Sequence, residues 1–120
     1  MKNNKQNARR WLKESENTLR QAKQTLGVKE YSLVCFLAEQ ASQKALKAVL
    51  YNDGARFVVI HSIAELLKSI SKAHTDFLEI VNQGSKLDQY YLSSRYPDAV
   101  PEPAIPSEIF TQEQAEEAIA

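Results

Sequence analysis

Arg95 follows a stretch that carries paired tyrosines, and its neighbours are residue types that hold phosphates and bases. The segment reads Leu87-Asp88-Gln89-Tyr90-Tyr91-Leu92-Ser93-Ser94-Arg95-Tyr96-Pro97-Asp98-Ala99. Proline drives the residue before it out of the α region, so a helix through Tyr91 must stop at or before Tyr96. Arg95 then falls in the last turn, where a guanidinium reaches past the helix end. That planar, permanently charged fork matches phosphate oxygens. Tyr90, Tyr91 and Tyr96 offer rings on which bases stack. The same residues also have a plain structural reading, as a cation at a helix C-terminus paired with Asp98 and as core tyrosines with satisfied hydroxyls.

A second group lies upstream. Gln40, Lys44 and Lys47 stand at i, i+4, i+7 on a helix that is otherwise mostly apolar. They form either its solvated edge or one wall of a groove facing the Arg95 turn. His61 directly precedes a serine cap; it either joins loop to helix or contacts a ligand or a partner subunit. The candidate ligand-binding set is therefore Arg95, Tyr96, Asp98, Tyr91, Lys44, Gln40, Lys47 and His61.

Several chemistries have no residues to carry them. The glycines, Gly27, Gly54 and Gly84, are scattered and build no phosphate loop. His61 and His74 have no cysteines or clustered acids around them, so no metal site is read. No serine occupies a G-x-S-x-G turn. Cys35 sits among Leu33, Val34, Phe36 and Leu37, where a thiol behaves as a small buried hydrophobe. No catalytic residue, metal or cofactor is assigned.

The elements that must position these groups read as helices. Trp11, Leu12, Ser15, Leu19, Ala22 and Leu26 recur at three- and four-residue steps, predicting a helix from Asn7 to Leu26 that Gly27 closes in a left-handed cap. A second helix is expected from Lys29 to Tyr51, its face of Val34, Cys35, Ala38, Ala41, Ser42, Ala45 and Ala48 small enough to admit a close neighbour. Asn52-Asp53-Gly54 reads as a turn. Phe57 to Ile60 has no strand to pair with and is read as non-strand. Ser62-Ile63-Ala64-Glu65 is a capping box opening a helix to Ser71. A fourth helix runs from Thr75 to Ser94, with Gly84 as the place for a kink and with Phe77, Leu78, Val81, Leu87 and the tyrosines inward. Thr111-Gln112-Glu113-Gln114 opens a last short helix that stops abruptly at Ala120, as a truncated one would. Trp11, Phe36, Leu46, Leu66, Phe77 and Leu87 are the expected anchors of stability.

The fold class is thus all-α: an antiparallel four-helix bundle with a short extra helix at the C-terminal end. With 120 residues it is one domain. Fifteen basic residues balance fifteen acidic ones, so no global field draws the protein to nucleic acid. The basic residues nevertheless crowd the first segment and the acidic ones the tail. A lone cysteine, no apolar run near ~20 residues and no signal-type apolar core at the start make cytoplasmic the expected location.

Taken in order, the Trp11-Leu12 start, Gln40-Ala41 with Lys44-Ala45-Leu46-Lys47, His61 with Leu66-Leu67, Leu87 through Asp98 and the Phe110-Thr111 entry resemble the HEPN family (higher eukaryotes and prokaryotes nucleotide-binding). The resemblance implies an antiparallel bundle, a homodimer formed through long helices, and links to nucleotides and RNA. Many such domains partner a minimal nucleotidyltransferase. Others are metal-independent ribonucleases of toxin–antitoxin or defence systems, with an Arg-x(4–6)-His motif at the dimer cleft. Arg95 matches that arginine, but Val100, Pro101 and Glu102 stand where the histidine would fall, and general acid–base catalysis lacks its imidazole. The resemblance therefore implies a non-catalytic dimeric module that binds nucleotide or RNA phosphate or serves a nucleotidyltransferase. The alternative is a ribonuclease with an atypical site.

Overall fold

Two long helices form the spine of the molecule, and most of the remaining helices pack against the second. A computed structural model describes residues 4–56 and 58–119. Helix α1 spans Asn4–Gly27 and α2 spans Tyr31–Asn52, and they pack as an antiparallel pair. Small residues let them approach: Ala8, Ser15, Thr18 and Ala22 of α1 are buried, as are Ala38, Ala41 and Ala48 of α2. Ser15 Oγ donates to the Ala41 carbonyl at 2.8 Å, and Trp11 leans on Tyr51 with ring centroids 5.5 Å apart. The small side chains therefore carry the contact, while Trp11 is only half-buried and Leu12 is exposed. Gly27 stays within the helix, and the left-handed residue of the connection is Lys29, at φ 63°.

Helix α3 (Ile63–Ser71) begins where expected, with Ser62 Oγ accepting from the Glu65 N–H at 3.2 Å. Its spacing buries Ile63, Leu66, Leu67 and Ile70 against α2 and the following segment. Val58–Ile60 is not strand, and Phe57 lies outside the described residues.

The fourth helix is divided. Thr75–Ile80 is a 3₁₀ segment, α4 covers Val81–Asp88 and the single turn α5 covers Tyr90–Ser93. The breaks fall after Ile80 and at Gln89, not at Gly84, which is buried inside α4. A Cβ at Gly84 would come within 2.7 Å of Leu67 Cδ1 and 2.9 Å of Ile63 Cγ2, so glycine is what lets α4 cross α3. Leu78 is exposed, contrary to its expected inward position. Among the anchors predicted from sequence, only Leu66 is fully buried; Trp11, Phe36, Leu46, Phe77 and Leu87 are half-buried.

Helix α6 (Pro106–Ile109) leads to α7 (Gln112–Ile119). The box at its start is reciprocal: Thr111 Oγ1 accepts from Gln114 N–H at 3.2 Å and Gln114 Oε1 accepts from Thr111 N–H at 2.9 Å. Ala115 then buries against Val34 and Cys35, closing a core with Tyr90 and Phe110. Burial pushes the Cys35 thiol up to about 11, so it remains protonated and inert. No described helix is long and apolar enough to cross a membrane.

Candidate functional site

The end of α5 builds the site around one side chain. Leu92 accepts from both the Arg95 and Tyr96 N–H groups, at 3.0 and 2.9 Å, before Pro97 ends the turn and starts the 3₁₀ turn Pro97–Ala99. Arg95 then folds back one turn. Its Nη2 and Nε donate to the Tyr91 carbonyl at 2.7 and 3.1 Å. Its Cζ lies 4.3 Å from the centre of the Phe36 ring, 4.9 Å from that of Tyr96 and 5.0 Å from that of Tyr91. Three aromatic rings and one carbonyl thus fix a guanidinium that remains exposed to solvent. Its other N–H groups have no acceptor among the described residues. Arg95 and Asp98 form no ion pair.

Behind the arginine, α2 carries a buried polar ladder of Glu39, Gln43 and Lys47. Glu39 is 0% exposed. Gln40 Nε2 donates to its Oε2 at 2.8 Å, and Gln43 Nε2 donates to its Oε1. Burial raises the carboxyl above its ordinary range and the nearby Asp88 charge adds to this, while the two amides and the Arg95 guanidinium pull it back down. The Lys47 ammonium is lowered by burial and raised in part by Glu39, and its Nζ lies 5.7 Å from the centre of the Trp11 ring.

Asp88 closes the site from the α3 side. Its carboxylate accepts from Ser62 Oγ at 2.8 Å and from the Ile63 and Ala64 N–H groups at 2.5 and 3.1 Å. A negative charge thereby sits on the free donors and positive dipole end of α3. This clasp ties the end of α4 to the start of α3. His61 stacks on Tyr91 with centroids 6.0 Å apart and an interplanar angle of 11°. The imidazole and the guanidinium therefore share one tyrosine ring as neighbour.

The fold gathers Arg95, Tyr91, Tyr96 and His61 into one cluster, with Gln40 joined to it through Glu39. It leaves three predicted residues outside that cluster. Lys44 donates to Thr18 Oγ1 at 2.9 Å and pairs with Glu14 at 3.8 Å, so it braces α1. Lys47 is buried against Trp11. Asp98 is exposed on the 3₁₀ turn. Sequence reasoning missed Phe36, Glu39, Gln43 and Asp88. The signal for two of them was present: Glu39, Gln43 and Lys47 recur at i, i+4, i+8 on a helix with little room for exposed charge. Among the described residues no group of His, Cys, Asp and Glu could hold a metal ion.

The HEPN domain family model matches residues 8–120. The crystal structure of TT1696 from Thermus thermophilus is similar at 36% identity and a TM-score of 0.87, over 93% of this chain and 87% of that one. ST0689, described as an archaeal HEPN homologue, is similar at 34% identity and a TM-score of 0.74, over 99% of this chain and 88% of that one. No curated protein matches.

Proposed function

Since this chain belongs to the HEPN domain family, we propose that it is a non-catalytic, dimeric helical module whose Arg95 cluster binds the phosphate of a nucleotide or of RNA. The observation that carries this reading is an exposed guanidinium held in place by one carbonyl and three rings. Part of the Arg95 fork is spent on the Tyr91 carbonyl, its Cζ lies 4.3–5.0 Å from three ring centres, and its remaining N–H groups meet no acceptor among the described residues. A phosphate supplies the anionic oxygens that such a fork takes. Tyr96, 50% exposed, offers a ring edge or face to the attached base.

The dimer in this reading is supported by the rim of the site. Leu33 lies one turn before Phe36 and is 44% exposed; Leu92 lies one turn before Arg95 and is 51% exposed. A second copy covering these two side chains would remove their apolar surface from water. A minimal nucleotidyltransferase is the protein partner the family membership suggests, and co-purification with a neighbouring gene product tests it.

Titration of the protein with nucleoside phosphates and short RNAs by calorimetry tests the main reading. Saturable binding that weakens at least about tenfold in Arg95→Ala supports it, as expected for loss of a charge-assisted contact of about 1.5–3 kcal/mol. Absence of binding to every nucleotide and RNA overturns it.

A second reading, a metal-independent ribonuclease, is favoured by one observation: His61 stacks on the same Tyr91 that holds Arg95. In this reading that imidazole takes the proton-moving role of the histidine missing from Val100–Glu102. Incubation with RNA in the presence of a chelator decides it. Cleavage lost in both His61→Ala and Arg95→Ala supports a nuclease; wild-type cleavage no faster than either variant rules it out.

A further inference from the structure

On the side of α2 that faces α1, α4 and α7 lies a recess of about 300 Å³, distinct from the Arg95 cluster. Its floor is small: Ser15, Ala38, Ala41 and Ser42. Both hydroxyls are already spent, Ser15 Oγ on the Ala41 carbonyl at 2.8 Å and Ser42 Oγ on the Ala38 carbonyl at 3.0 Å. The floor therefore offers no free hydroxyl donor, and the methyl groups of Ala38 and Ala41 make the rest of it apolar. Leu19, Leu87 and Ile119 wall it. Helix α7 packs on α2 at Ala115, and its Ala118 and Ile119 reach the edge of the recess.

The rim is polar and lopsided. Gln83, Lys86 and Tyr90 stand at i, i+3, i+7 along α4 and α5, so three donor-bearing side chains line one edge. The Tyr90 hydroxyl has no hydrogen-bond partner among the described residues. Glu117 of α7 is the one acid on the rim, and it pairs with Lys86 at 3.6 Å, with both side chains largely exposed. An exposed pair of this kind is worth little and exchanges readily.

We infer that this recess is a binding site for a small amphipathic carboxylate, an aromatic or branched apolar body bearing one anionic head. The body occupies the space over Ala38 and Ala41, at the lower end of the volumes that small-molecule sites show. The head takes Lys86 from Glu117 and accepts from Gln83 and the Tyr90 hydroxyl. Binding exchanges the Lys86–Glu117 bridge for a ligand contact and so loosens one tie between α4 and α7.

The test uses 1-naphthoate, its neutral carboxamide and the cationic naphthylmethylamine, followed by amide NMR shifts on the whole protein. Naphthoate is expected to saturate at millimolar concentration, with shifts centred on Gln83, Lys86, Tyr90 and Ile119. The carboxamide and the amine each bind about tenfold more weakly, since three donors meet the acid whereas Glu117 is the one acid that can meet the amine. Lys86→Met, at an exposed side chain that leaves the core intact, abolishes the preference for the acid; Glu117→Gln tightens acid binding. Arg95→Ala leaves all of this unchanged, which separates this site from the nucleotide reading. No saturation, equal affinity for acid and carboxamide, an unaltered Lys86→Met, or shifts centred on Arg95 each overturn the inference.

Discussion

The guanidinium of Arg95 is clasped by the carbonyl of Tyr91 one turn behind it, through Nη2 at 2.7 Å and Nε at 3.1 Å. The contact uses part of the donor fork to orient the rest. A helix C-terminus thus does two things with one side chain: it satisfies a free carbonyl and it presents a fixed cation. Arg95→Ala should lower stability by no more than about 1 kcal/mol, because the group is exposed, yet weaken nucleotide or RNA binding at least about tenfold. Arg95→Lys keeps the charge without the fork and should restore stability but not affinity. Parallel urea melts and calorimetry check both halves; affinity that survives in the lysine variant speaks against the fork.

Asp88 should matter more to stability than its position near a helix end suggests. It serves Ser62 and two N–H groups of α3 from about 25 residues away in sequence. Asp88→Ala should cost about 1–3 kcal/mol, and Asp88→Asn, which retains an acceptor oxygen, about half of that. Chemical denaturation measures it. A neutral alanine variant would show that water replaces the carboxylate.

Glu39 gives a pH signature. Its carboxyl is raised in the folded state, so the native protein holds that proton more tightly than the unfolded chain. Stability from this group is fully present below the unfolded value, near pH 4.5, and is lost as pH rises through the higher folded value. Compared with Glu39→Gln, the wild type should therefore lose stability on going from pH 4 to pH 7. Denaturation midpoints of the two proteins across that range test it; parallel curves would mean that Glu39 ionises normally.

Gly84→Ala should destabilise. The added methyl collides with Leu67 and Ile63, both nearly inaccessible. Overpacking costs about 1–3 kcal/mol, against about 1 kcal/mol gained in helix propensity. A net loss in a melt is the expected result, and in a double-mutant cycle that loss should shrink when Leu67 is already alanine, a change that by itself costs about 2–5 kcal/mol.

Lys29→Gly should stabilise. Lysine holds a left-handed conformation there, at φ 63°, which costs an L-residue roughly 1–2 kcal/mol and glycine little. Part of the gain is returned as unfolded-chain entropy, leaving about 0.5–1 kcal/mol in a thermal melt.

Much of the architecture was legible in the chain because its signals are local. Ser62 and Glu65 set the start of α3, Thr111 and Gln114 that of α7, and apolar spacing laid out α1 and α2. Lys29 shows where a local rule misled: Gly27 is the better left-handed residue, yet the chain turns two positions later. The fourth helix broke at Ile80 and Gln89 rather than at Gly84. Its glycine answers a crossing with α3, and helix spacing cannot register a neighbour that has not yet been placed.

The site divides in the same way. Arg95 at a helix end beside tyrosines followed from proline sterics alone, since Pro97 limits where the helix can run. The partners of that arginine did not follow. Which polar flank of α2 is covered depends on the helices that pack on it, so Glu39 and Gln43 went inward while Lys44 turned to α1. Asp88 on Ser62, and His61 on Tyr91, are meetings between residues some 25 to 30 positions apart. Sequence by itself determined the periodic faces, the caps and the cation, because those rest on backbone geometry within a turn or two. Only tertiary packing decided the company that cation keeps, because burial and long-range contact are properties of helices already assembled.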